Sequence, residues 1–214
     1  MVTNIILGYD CRVASNDKSS TELWPADRRK QYLIRPEIEL PMAVDRTVWP
    51  SLFYFGSEWR SGNIPTILIE PTDFHQQSLR LWKSLTELQK TIGSESGMLR
   101  PHSVICFTIE RPDLPPNDDW WKMAFEEPTE PSILDSTWTL LGFDVGDKYF
   151  TSGLSNCGYQ AEAMEAARRT WGGAINGNGL FSQFEAAQQF RHFVGKQISS
   201  HTPFYVFGIY RIPR

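Results

Sequence analysis

The sequence predicts an α+β fold: a single domain over residues 1–214, with a mixed or largely antiparallel sheet and about three helices packed on it. Three observations point there. Apolar, β-rich segments dominate the first seventy residues, a single long helical pattern follows them, and two further helical patterns gather just before a final strand. Strands that are not regularly interleaved with helices disfavour a doubly wound parallel sheet.

Taken in order, TNIILGY at 3–9 reads as a buried strand and SNDKSSTE at 15–22 as a polar loop. QYLIR at 31–35 and TVWPSLFYFG at 47–56 are β-rich, with Pro50 marking an edge or bulge. IPTILIEP at 64–71 is a short strand bracketed by Pro65 and Pro71. The helix over 72–93 has Asp73 and Gln76 as N-terminal caps, Leu81, Leu85, Leu88 and Ile92 at helical spacing, and Gly93 as its C-terminal stop. SVICFTIE at 103–110 and WTLLGFDV at 138–145 are strands, and QAEAMEAARRTW at 160–171 is a helix ended by Gly172 and Gly173. In SQFEAAQQFRHFVG, Ser182 and Glu185 suit a capping box and Phe181 and Ala186 a hydrophobic staple. Ala187, Phe190 and Val194 form that helix's core face, and Gly195 is its expected end. PFYVFGIYRI at 203–212 closes the chain as a strand. Three apolar segments, ILGYD at 6–10, LGFD at 141–144 and VFGIY at 206–210, share a glycine before an aromatic or apolar residue. The pattern fits sheet positions where a large side chain overlies a glycine better than it fits an internal duplication.

Composition narrows the function. The chain has 214 residues, 41% of them hydrophobic, and a net charge of −4, which is ordinary for a globular protein. No basic stripe is present to neutralise phosphates, so direct nucleic-acid binding is not expected. Cys11, Cys106 and Cys157 are few and widely spaced, which argues against a disulfide framework. MVTNIILGYDC lacks the features of a signal peptide, and no stretch approaches the ~18 apolar residues of a membrane span. A cytoplasmic location without membrane contact is the expectation.

Two regions are candidate sites. The first is the loop after WTLLGFDV, where Asp144, Asp147, Ser152, Asn156 and Cys157 gather among glycines. Read as chemistry, Cys157 or Ser152 is a nucleophile and Asp144 or Asp147 orients a base. The four histidines, His75, His102, His192 and His201, lie in no catalytic motif, and the context of Ser152 is not a nucleophile elbow. The structural reading makes the same loop a polar turn with Cys157 as a small buried hydrophobe. A third reading uses its backbone N–H groups, ahead of the next helix, to hold an anion. No Cys or His pair has metal-ligand spacing, and GNG at 177–179 lacks the context of a dinucleotide loop, so neither metal nor cofactor is expected.

The second region is a proline-punctuated insertion at about 111–135. It carries seven carboxylates against Arg111 and Lys122, with Trp120, Trp121, Met123 and Phe125 among them. Asp118, Asp119, Trp120, Trp121, Phe125, Glu126 and Glu127 are the candidate partner-binding residues. Carboxylates steer a basic partner and the rings supply desolvated contact, although the same tryptophans would also serve as a lid on the core.

No constellation reaches an enzyme signature, and the balance favours binding over catalysis. In size, acidity and its acidic-aromatic segment the chain resembles the immunity proteins of bacterial polymorphic-toxin and contact-dependent inhibition systems. Those proteins are often small, acidic and α+β, and they neutralise a toxin domain by covering its active site. The resemblance implies a basic toxin domain as partner, for which a phosphate-binding nuclease cleft is well suited, and it transfers no residue assignments. The competing classes are a small-molecule hydrolase or transferase using the 144–158 loop, and a ligand-sensing or regulatory domain.

Overall fold

The computed structural model describes residues 4–13, 81–94, 102–110, 129–147, 153–154, 160–176, 180–199 and 202–213. Among them are strands β1 (Asn4–Val13), β2 (His102–Glu110), β3 (Thr139–Gly146) and β4 (Tyr205–Ile212). The helices are α1 (Leu85–Ser94), α2 (Ala161–Trp171), which runs on into a 3-10 turn at Gly172–Ala174, and α3 (Phe184–Gln197). The strands form one sheet in the order β1-β2-β4-β3, with every neighbouring pair antiparallel. This is the α+β architecture that the segregated strand and helix patterns predict. The strands expected at 31–35, 47–56 and 64–71, the loop at 15–22, the Asp73 cap and the GNG at 177–179 lie outside the described residues.

The pleat sorts side chains to two faces. On one face, Ile6, Tyr9, Cys106 and Ile212 meet Leu85, Leu88 and Ile92 of α1. Farther along it, Val145 and Val206 meet Ala187, Phe190 and Val194 of α3. The other face carries Leu7, Ile105, Phe107, Ile109, Leu141, Tyr205, Phe207 and Ile209, all buried. Burial on both faces explains why VICFTI and YVFGI read as continuous apolar runs rather than as alternation.

The helix cores and the bounds of α2 match expectation, but the ends of α1 and α3 do not. α1 begins at Leu85, and 81–84, which the helical pattern also covered, are not helical, because Trp82 is engaged in a β-bridge with Tyr9. The Ser84 hydroxyl accepts the Glu87 N–H at the start of α1 (3.3 Å). Leu81 therefore lies ahead of the helix, beside the apolar second face. α3 likewise begins at Phe184, and its N-cap residue, Gln183, makes no side-chain cap. The expected Ser182–Glu185 capping box is not formed. The Ser182 N–H instead donates to the Ala174 carbonyl (2.9 Å), and Phe181 bridges Phe143. In both cases pairing at the sheet edge takes the backbone groups that a longer helix would have used. Gly93 and Gly195 lie inside their helices rather than ending them, whereas α2 ends at Trp171 as expected, with Gly172 as its C-cap (φ −55°) leading into the 3-10 turn.

The two edges are built alike. β1 bulges between Ile6 and Gly8, and β3 bulges between Leu140 and Gly142. Gly8 (φ +155°) pairs with Phe107, and Gly142 (φ +144°) pairs with Ile209. Tyr9 exchanges both backbone hydrogen bonds with Trp82 (2.8 and 2.9 Å), and Phe143 does the same with Phe181 (2.9 and 2.8 Å). A helix begins three residues after each of these partners, at Leu85 and at Phe184. Phe107 and Ile209, which are equivalent in this scheme, are also direct partners across β2 and β4. An internal two-fold axis therefore passes between them and relates β1-α1-β2 to β3-α3-β4. ILGYD and LGFD thus occupy equivalent positions in the two halves, and the packing reading holds at both, since Leu81 overlies Gly8 and Leu180 overlies Gly142. VFGIY lies in β4, the counterpart of β2, and its glycine has no equivalent there, since Gly208 stands where the first half has Cys106. The packing reading holds there too, because a Cβ at Gly208 would lie 2.5 Å from the Thr108 hydroxyl oxygen.

At Gly8 a Cβ would fall 2.6 Å from Leu81 Cβ and 2.8 Å from the Trp82 carbonyl oxygen. At Gly142 it would fall 2.7 Å from Leu180 Cβ and 2.8 Å from the Phe181 carbonyl oxygen. Strain at positive φ and the clash with backbone act together, so Gly8→Ala and Gly142→Ala should each destabilise by about 3 kcal/mol in urea denaturation. Gly93→Ala, inside α1 with open space around it, should stabilise by about 0.5–1 kcal/mol.

Candidate functional site

The candidate partner-binding residues Asp118, Asp119, Trp120, Trp121, Phe125, Glu126 and Glu127 lie outside the described residues, but both ends of the insertion are placed. The chain leaves the sheet at Glu110, the last residue of β2, which pairs with Asn4. The Glu110 carboxylate accepts a hydrogen bond from the Gln188 amide on α3 (3.1 Å). The chain is back at Thr129, whose buried hydroxyl donates to the Ile6 carbonyl (2.6 Å). Ile6 pairs with Thr108, so departure and return occur at the same end of the β1-β2 pair.

From Thr129 the chain runs as a strap over the first half of the repeat. The Glu130 N–H donates to the Lys83 carbonyl (2.7 Å), and the Glu130 carbonyl accepts from the Leu85 N–H (2.9 Å). The Tyr9 hydroxyl donates to the Pro131 carbonyl (2.7 Å). Thr137 donates twice to one Asp135 carboxylate oxygen, from its backbone N–H and its hydroxyl, at 2.8 Å each. Those bonds, the backbone one first, hold the Asp135 carboxyl below its usual pKa range. Trp138 packs edge-on against Tyr9, with ring centroids 5.9 Å apart. Glu130 and Asp135, two acidic residues of the predicted insertion, are exposed.

Of the loop candidates, Ser152, Asn156 and Cys157 lie outside the described residues, while Asp144 and Asp147 are described and deeply buried, at 5% and 2% exposure. Asp144 pairs with Phe207 on the apolar second face, and its carboxylate accepts from the Val145 N–H (2.7 Å). The return limb sits on the other side of the sheet. Gly153 donates to the Val145 carbonyl (2.6 Å), and Leu154 is fully buried with Phe190 and Val194 of α3. The sheet thus separates the side chain of Asp144 from Leu154, although the two are only ten positions apart. His192 is exposed on α3, away from the core face formed by Ala187, Phe190 and Val194. Among the described residues no group of three or more His, Cys, Asp or Glu side chains could hold a metal ion, and no helix is long and apolar enough to cross a membrane.

One titratable row, buried at Tyr9 and Cys106 and partly buried at Tyr210, escaped the sequence reading, because only strand register creates it. Tyr9, Cys106 and Tyr210 are consecutive partners across β1, β2 and β4. Burial raises the pKa of all three, and for both tyrosines the Cys106 thiol adds a smaller upward push. A raised pKa means that the neutral form is favoured in the folded state. The associated stability is complete below the ordinary pKa values, about 8.5 for Cys and 10 for Tyr, and is lost as pH rises beyond them. Stability measured by denaturant titration should accordingly fall from about pH 9 upward. Cys106 should resist alkylation at neutral pH in the native protein and react on unfolding, as read by peptide mapping.

No family model matches the chain, and neither a curated protein nor a solved structure matches it.

Proposed function

We propose that this is a non-catalytic binding protein of the bacterial cytoplasm that neutralises a basic toxin domain by covering its active site. The observation that carries the reading is the excursion between Glu110 and Thr129. It holds five carboxylates against Arg111 and Lys122, together with Trp120 and Trp121, and both of its ends are tied to one end of the β1-β2 pair. Tethering at both ends lowers the entropy cost of presenting the segment to a partner. In this reading Trp120, Trp121 and Phe125 bury against the partner, while Asp118, Asp119, Glu126 and Glu127 pair with its Lys or Arg side chains. A cleft shaped for phosphates supplies both features, which makes a nuclease domain a fitting target.

Affinity purification of the tagged protein from its native cells should yield a stoichiometric basic partner, retained at low salt and weakened at high salt. Against that purified partner, Trp120→Ala with Trp121→Ala should cost about 4 kcal/mol of binding energy. Unchanged affinity in a folded double variant would overturn the assignment.

A further inference from the structure

We infer that the exposed apolar side chains of the strap and the strand after it, Ile133 and Leu140, form a second docking element for an apolar pocket rimmed by basic side chains on a protein partner. The inference rests on the binding reading above and extends it to residues outside the acidic-aromatic segment.

The first observation is exposure on a fixed support. Ile133 is 79% exposed and Leu140 is 41% exposed, and they are the exposed large hydrophobics among the described residues. Neither sits on a loosely held chain. The strap is pinned by the Thr129–Ile6, Glu130–Lys83 and Tyr9–Pro131 hydrogen bonds, and Leu134 and Trp138 are packed into the core around Tyr9. A partner that buries these side chains therefore pays little ordering entropy, the condition under which apolar contact converts well into affinity.

The second observation comes from the repeat. Leu140 occupies the position that Ile6 holds in the first half, immediately before the bulge. Ile6 is 2% exposed, under the strap that Thr129 ties to it. Leu140 is apolar although the second half leaves this position open to solvent. It pairs with Tyr210, which shares a cluster with Trp138 and Leu134, so the open position adjoins the strap.

Charge selects the partner. Glu130 and Asp135 are exposed on the strap, and the sequence from Met123 to Asp147 contains no Lys, Arg or His. Among the described residues, Lys83, whose carbonyl accepts from Glu130, and Arg211, which pairs with Thr139, are the neighbouring cations, and both are partly buried. An apolar knob with a carboxylate rim complements an apolar pocket with a basic rim and disfavours acidic partners.

The test uses the full chain and two defined probes, a synthetic Leu/Lys amphipathic helical peptide and an oligolysine of equal charge. Binding is read by fluorescence anisotropy, with melting temperature as the folding control. The wild type should bind the amphipathic peptide at least ~10-fold more tightly than oligolysine. Ile133→Ser with Leu140→Thr should remove most of that difference without lowering the melting temperature. Trp120→Ala with Trp121→Ala reports the acidic-aromatic segment separately. If only the tryptophan variant loses binding, the second docking element is overturned and the reading of the insertion stands. If neither variant loses binding, or the two probes bind equally, both are overturned.

Discussion

The architecture depends on backbone lying flat against backbone at the two edges of the sheet. Gly8 and Gly142, at positive φ and without a Cβ, let the Leu81–Trp82 and Leu180–Phe181 segments approach so closely that main-chain atoms meet main-chain atoms. Each approach closes a pair of short hydrogen bonds, and these satisfy edge groups that would otherwise stay open for pairing. The same contact sets where each following helix begins and so directs Leu88 and Ala187 into their respective cores. A side chain at either glycine would push the segment off the edge and take the start of its helix with it.

Because this device occurs twice, the sheet has an internal two-fold axis between Phe107 and Ile209. The halves differ in what covers them. In the first half the chain returns from the acidic insertion, binds Ile6 through Thr129, and lays a strap over α1's start and Tyr9. In the second half the added layer comes from the neighbouring residues Ala174–Asn176, which pair with Leu180 and Ser182. A symmetric scaffold thus carries an asymmetric surface, with Glu130, Ile133 and Asp135 exposed on the strap. Loops pinned to a rigid sheet are where binding residues gather, since the scaffold bears the cost of ordering.

The buried Asp144 shows how a sequence pattern can suggest convergence that the pleat denies. Asp144 and Leu154 are close in the chain, and a loop rich in glycine and hydroxyls between them suggests one pocket. Alternation along β3 sends Asp144 to the apolar face, while Gly153 and Leu154 pack on the helical face. Sequence spacing alone could not reveal this, because the bulge at Leu141 resets which residues face which side.

Local sequence determined the elements and their cores. The strands at 4–13, 102–110, 139–146 and 205–212 follow from apolar, β-branched and aromatic runs, and Leu88, Ile92, Ala187, Phe190 and Val194 follow from helical spacing. The acidic and aromatic character of the insertion is likewise a property of composition. Only tertiary structure decided the helix starts, since Ser182 and Glu185 offered a sound capping box that lost to pairing with Ala174 and Phe143. Tertiary structure also decided that ILGYD and LGFD are the same position of a repeat, because the equivalence lies in register and bulge rather than in residue identity. Capping and periodicity act over a few residues and leave a mark in the sequence. Edge pairing joins residues seventy or more positions apart in the first half, and nothing local records which partner will arrive.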